Sequence, residues 1–103
     1  MVNVVIYLRK NHDSKRIVNL LLEHKLIASA SIDEDNVLYK LEEGVIKEEV
    51  YTVVTSQSKA LLFQEIVKLI ELELGEETPI HSTPIVASNK VFDDSIRSKT
   101  LPI

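Results

Sequence analysis

The stretch from Ser56 to Gly75 constrains this chain more than any other. Counted at 100° per residue, Leu62, Phe63, Ile66, Val67, Leu69, Ile70 and Leu74 fall on one broad arc, which predicts a helix lying on an apolar partner. It starts near Ser56 or Ser58 and stops before Gly75, a natural C-terminal breaker. Burying those side chains gains roughly 10–20 kcal/mol before the ordering of the chain is counted. A stripe this wide needs a sheet beneath it. Leu61 and Leu72 fall together on the opposite side and point to a contact surface there.

The strands for that sheet are readable on both sides of the helix. Val2 to Leu8 is apolar, β-branched and aromatic, as in a central strand. A first helix follows, capped by Asp13 or Ser14, with Ile17, Val18, Leu21 and Leu22 on one face, Leu20 at its edge and Lys25 in its last turn. Ile27 to Ile32 alternates like a strand and runs through the acidic Asp33-Glu34-Asp35 into Val37 to Leu41. That acidic interruption is a bulge or bend in one long strand, or a break between two. Glu42-Glu43-Gly44 predicts a hairpin leading into a strand over Val50 to Thr55. A last strand covers Pro79 to Ala87, with Pro84 placing it at an edge or strand end, and Asn89 to Arg97 is a short helical tail.

Strand, helix, strand, strand, helix, strand, tail is the order of a ferredoxin-like split βαβ sandwich, an α/β fold with an antiparallel sheet and both long helices on one face. At 103 residues it forms one domain, residues 1–103. The other sheet face carries Asn3, Val5 and Tyr7, or Val4, Ile6 and Leu8, depending on register. Either set includes apolar groups, so another copy of the chain is expected to cover it.

Composition removes several classes of function. With no cysteine there is no disulfide, thiolate zinc site or cysteine nucleophile. Sixteen acidic against twelve basic residues give a net charge of −4, and the one basic cluster, Arg9, Lys10, Lys15 and Arg16, reads as a solvated face or a weak anion contact, so no nucleic-acid partner is expected. The N-terminal stretch reads as a strand and not a signal peptide, and nothing approaches the roughly 18 apolar residues of a membrane span. The cytoplasm is the expected compartment. No G-x-S-x-G elbow or phosphate loop occurs, and two glycines leave little to build one from, so no catalytic residue is assigned and an enzyme is not expected.

Three patches carry a resemblance to a known family. Leu22 to Ser29 resembles the end of the first helix in the CutA divalent-cation-tolerance proteins. Tyr39, Gly44, Glu49 and Val50 keep the order of that family's hairpin, and Pro84, Asn89, Phe92 and Ile96 keep its closing spacing. The resemblance implies a homotrimer whose sheets pack and extend across subunits, and a role in tolerance of copper and other divalent ions. The chain also departs from the pattern. The family's cysteine falls on Ser29, its histidine and tyrosine are lost from Leu74 to Pro79 while Glu77 and Pro79 remain, and its two tryptophans fall on Lys40 or Leu41 and on Ser95. A PII-like or ACT-type binder of small regulatory molecules has the same architecture; the short connection around Gly44 argues against nucleotide binding.

A divalent cation, copper or zinc, or a small ligand held at subunit clefts, has three candidate residues. His81 sits with Ser82 and Thr83 near the positions where the family places ligands, and Glu49 matches a family position. His12 stands beside Asp13, although capping explains that aspartate equally well. His24 lies at the rim of the first helix, where packing accounts for it. The pairs Glu42-Glu43, Glu48-Glu49 and Glu76-Glu77 read as solvated turns and guarded edges, since neighbours in a strand point to opposite faces.

Overall fold

A computed structural model describes all residues from Met1 to Ile103. The elements are β1 (Val2–Arg9), α1 (Ser14–Glu23), β2 (Ser29–Glu42), β3 (Val45–Ser58), a 3-10 turn (Ala60–Leu62), α2 (Phe63–Leu74), β4 (Ile80–Pro84) and α3 (Lys90–Lys99). The four strands form one antiparallel sheet in the order β2-β3-β1-β4.

Alternation in β1 decides which face meets the helices. Val4, Ile6 and Leu8 are fully buried with Val54 of β3, Ile17 and Leu21 of α1, and Ile66 and Ile70 of α2. Asn3, Val5 and Tyr7 face the other way and are half-buried. Each large core side chain contributes about 1.5–3 kcal/mol by leaving water.

Asp13 caps α1, its carboxylate accepting from the Arg16 N–H at 3.1 Å. Leu22, expected on the buried face, points outward. It lies one turn beyond Val18 on the flank of the stripe, and exposure along that flank rises from 9% to 39%. Lys25 is outside the helix, which ends at Glu23; with φ +56° it reverses the chain instead of answering the helix dipole.

The acidic interruption is a bulge within one long strand. Ser29 to Asp33 pairs with β3 in one register and Asn36 to Glu42 in another, so Glu34 and Asp35 together stand opposite Thr52. Glu43 and Gly44, with φ +49° and +78°, make the two-residue turn that matches strand twist.

β3 is longer than its apolar run predicts. Ser56 and Ser58, expected to start the second helix, are strand residues buried in the core, where their hydroxyls donate to the carbonyls of Val4 at 3.0 Å and Leu26 at 2.5 Å. Those bonds remove the cost of burying the serines, and α2 begins only at Phe63. It ends as expected at Gly75, φ +71°, whose N–H returns to the Glu71 carbonyl at 2.8 Å. Leu61 and Leu72 are exposed, 75% and 86%.

β4 is shorter than Pro79 to Ala87. It stops at Pro84, opposite Val2 at the start of β1 on the sheet edge, where a proline fits because its nitrogen points away from β1; the Ile85 N–H still bonds the Met1 carbonyl at 3.0 Å. Asn89 caps α3 by accepting from the Phe92 N–H at 3.0 Å, and Ile96 anchors that helix. The Leu101 N–H then bonds the Lys25 carbonyl at 2.9 Å, tying the tail to the loop after α1.

Candidate functional site

Two surfaces remain after the core is built. The first is the sheet face away from α1 and α2. Alternation predicts an apolar face there, and the structure shows a mixed one. Val5, Tyr7, Tyr51 and Val53 form its centre, but Asn3, Ser29, Ser31, Thr55, Gln57, His81 and Thr83 share the face by register. A polar row crosses it, Ser29 Oγ donating to Gln57 Oε1 at 2.6 Å and Gln57 Nε2 to Asn3 Oδ1 at 3.1 Å. The reason is in the partners of β1: β4 and the first half of β2 bring serine, threonine and histidine to this side.

The second surface is an arm. β1 ends at Arg9, opposite Tyr51, so Val45 to Val50 and Val37 to Glu42 pair only with each other. The bulge shifts the parity of β2, and the two faces of the arm differ. Val37, Tyr39, Leu41, Ile46 and Val50 share one face with Glu48. Leu41 and Ile46, directly opposite one another, are 70% and 73% exposed. The other face holds Lys40, Glu42, Lys47 and Glu49, joined by Lys40–Glu49 at 2.9 Å, Lys40–Glu42 at 3.4 Å and Lys47–Glu42 at 3.5 Å, together with Leu38 and Val45. A two-stranded ribbon with an open apolar face is marginal in water, so this surface asks for cover.

The predicted site residues divide between these places. Glu49 lies on the charged face of the arm, where Tyr51 donates to it at 2.5 Å and Lys40 at 2.9 Å. The Tyr51 hydrogen bond, then the Lys40 ammonium, hold the Glu49 carboxyl below its ordinary range; the same bond raises the Tyr51 phenol, and Glu49 raises Lys40. Tyr51 meets Tyr7 edge to face, ring centroids 6.4 Å apart. Tyr7 Oη in turn lies 3.1 Å from Nε2 of His81, whose ring is tilted 35° to the tyrosine. His81 and Glu49 are therefore joined in one chain, His81–Tyr7–Tyr51–Glu49–Lys40, that crosses all four strands. The tyrosines and Lys40 are not among the candidates that the sequence offers. Their only signal there is one tyrosine in each of two strands, and only the register makes them neighbours.

His12 is elsewhere. Its Nδ1 accepts from the Arg9 backbone N–H at 3.1 Å and its Nε2 faces a Glu76 carboxylate oxygen at 3.0 Å, so the ring straps the loop after β1 to the loop after α2. Three of the four basic residues at this end are paired as well: Arg9 with Glu76 at 4.0 Å, Lys10 with Asp35 at 2.9 Å and Arg16 with Glu73 at 2.5 Å. His24 is exposed beyond α1, its Nδ1 2.8 Å from the Leu20 carbonyl.

No three histidine, aspartate or glutamate side chains come together to hold a metal ion. Ser29, in place of the resemblance's cysteine, uses its hydroxyl on Gln57, and a hard hydroxyl is a poor ligand for copper or zinc. One chain's residues do not fit either ion.

The sheet order, with two helices on one face, defines the protein as a ferredoxin-like α/β domain. Among the solved structures it resembles are CutA1 proteins. The divalent cation tolerance protein (Cut A1) of Thermus thermophilus matches with a TM-score of 0.84 and 19% identity, over 97% of this chain and 99% of that one. CutA1 of Oryza sativa gives 0.86 and 14% over 97% and 93%, and the periplasmic divalent cation tolerance protein CutA of Archaeoglobus fulgidus 0.83 and 24% over 96% and 98%. No family model and no curated relative matches the sequence. The chain has the CutA1 fold from end to end, and no helix is long and apolar enough to cross a membrane.

Proposed function

We propose that this chain is a non-catalytic, single-domain protein of the CutA type that works as a homotrimer in the tolerance of divalent metal ions. The open apolar face of the arm carries the reading, together with the CutA1 fold on which that arm is mounted. A partner copy removes Val37, Leu41, Ile46 and Val50 from water, and the identical surface is always available at equal concentration. The two-residue turn at Glu43-Gly44 leaves no long mobile loop between the middle strands, which weighs against a nucleotide-binding regulator.

The ion or small ligand belongs, in this reading, at clefts between copies, where the His81–Tyr7 pair and Glu49 of one copy meet groups of the next. Light scattering at micromolar concentration tests the assembly: a mass of about 35 kDa, three times the 11.7 kDa chain, is the expected result, and a monomer overturns it. Copper and zinc titrations of the trimer and of His81→Ala test the cleft. Weaker binding by the variant supports it, and superimposable curves remove His81 from the site.

A further inference from the structure

The arm has two ways to pair, and one lysine outside it distinguishes them. From Ser29 to Asp33, β2 follows the register set by the sheet; from Asn36 to Glu42 it follows the register set by the turn. The two disagree by one residue. A two-residue turn at Glu43-Gly44 requires Glu42 to face Val45, and the sheet register carried onward would instead put Leu41 opposite Val45 across a three-residue loop, Glu42 to Gly44. The chain also satisfies that alternative, since Gly44 takes a left-handed conformation without strain.

The difference matters because the side-chain period of a strand is two. In the observed register Val37 faces Val50 and Leu41 faces Ile46, so these four apolar residues share one side of the arm, opposite the side that holds Lys40, Glu42, Lys47 and Glu49. In the slipped register Val37 would face Glu49, Tyr39 would face Lys47, Lys40 would face Ile46 and Leu41 would face Val45, so that Val37, Tyr39 and Leu41 turn to the opposite side from Ile46 and Val50. Everything depends on keeping the extra residue at Glu34-Asp35. Three successive acidic side chains, Asp33, Glu34 and Asp35, repel one another there.

Lys10 reaches this point from the loop after β1. Its Nζ donates to the Glu34 backbone carbonyl and, at 2.9 Å, to the Asp35 carboxylate, so one ammonium holds both residues of the bulge. A carbonyl freed by a bulge needs a donor, and a cation supplies it while offsetting the acidic run. We propose that Lys10 is a register lock: it holds the extra residue in β2 and thereby selects the pairing that gives the arm its apolar face. The proposal concerns pairing within one chain and stands whether or not three copies assemble.

The absence of natural cysteine makes the test direct. Val37→Cys with Val50→Cys forms an intramolecular disulfide only in the observed register, and Val37→Cys with Glu49→Cys only in the slipped one, because in each case the other register sends the two side chains to opposite faces. Both pairs are equilibrated in a glutathione buffer, and the intramolecular bond is read from the intact mass of the denatured chain. The expected result is a native-to-slipped ratio that falls about fivefold or more in Lys10→Met, the scale of a charge-assisted hydrogen bond, and is kept in Lys10→Arg. A ratio unchanged in Lys10→Met overturns the lock. Deleting Glu34 brings the sheet and turn registers into agreement, so in that background Lys10→Met should leave the ratio where it was; an equal fall there also overturns it. If Lys10→Met alone does not fold, recovery of folding by the Glu34 deletion supports the lock, and failure to recover overturns it.

Discussion

Tyr51 donates its phenolic hydrogen at 2.5 Å to Glu49, two residues back on the same face of β3. Lys40 reaches the same carboxylate from the neighbouring strand at 2.9 Å. These contacts set opposite pH limits on the charged side of the arm. Glu49 is held below the ordinary carboxylate value, so its contribution is present above about pH 4.3 and is lost as pH falls through its lowered value. Tyr51 and Lys40 are raised, so theirs are present below about pH 10 and lost as pH rises through their raised values. Phenolate absorbance should therefore show Tyr51 ionising later than a free tyrosine, with the difference abolished in Glu49→Gln. Identical titrations of the two proteins would rule the contact out as the cause.

The apolar side of the arm should control assembly and little else. Ile46→Asp or Leu41→Glu places a charge where the neighbouring copy is expected, weakening association about tenfold or more for each change. Both side chains are largely exposed within one chain, so unfolding of the isolated chain should move by no more than about 0.5 kcal/mol. Sedimentation at several concentrations separates the two effects; an unchanged association constant would clear the arm of this role.

Within α2 two apolar residues close in sequence should behave oppositely. Ile70 is fully buried in the core shared with β1, and Ile70→Ala should cost about 2–5 kcal/mol through lost burial and the cavity left behind. Leu72 is 86% exposed, and Leu72→Ala should stay within about 0.5 kcal/mol. Urea unfolding gives both numbers, and similar values for the two would contradict the orientation of the helix.

Glu43 occupies a left-handed position, φ +49°, at the first place of the turn. Replacing it with asparagine, which tolerates that conformation, should stabilise the protein by a few tenths to about 1 kcal/mol. Gly75→Ala should cost about 1 kcal/mol from backbone strain alone, since a methyl group there meets no atom within 4 Å. Thermal melting compares them, and a neutral Gly75→Ala would show that the helix ends by some other means.

The legible parts of the fold share one property: their signal is local. The stripe of α2, its stop at Gly75, the Asp13 and Asn89 caps and the hairpin at Gly44 each depend on residues within a turn or two of one another. Ser56 and Ser58 mislead for the complementary reason. A serine before an apolar helix looks like a cap, and only the carbonyls of Val4 and Leu26, far away in sequence, make it a core residue. The candidate site divides in the same way. His81, Glu49 and His12 can be named one by one, but that the first two join a chain through Tyr7 and Tyr51 while His12 straps another loop follows from pairing between distant strands.

Amino-acid order alone thus determined the elements, their sequence and the helical face that must be buried, because hydrophobic period and capping act over a few residues. Tertiary structure decided which side of the arm is apolar, since one extra residue at Glu34-Asp35 inverts every later side chain of β2 and no local pattern reveals the register that retains it. It also decided that the outer face of the sheet is half polar, because that face is assembled from four strands whose alignment only the folded chain specifies.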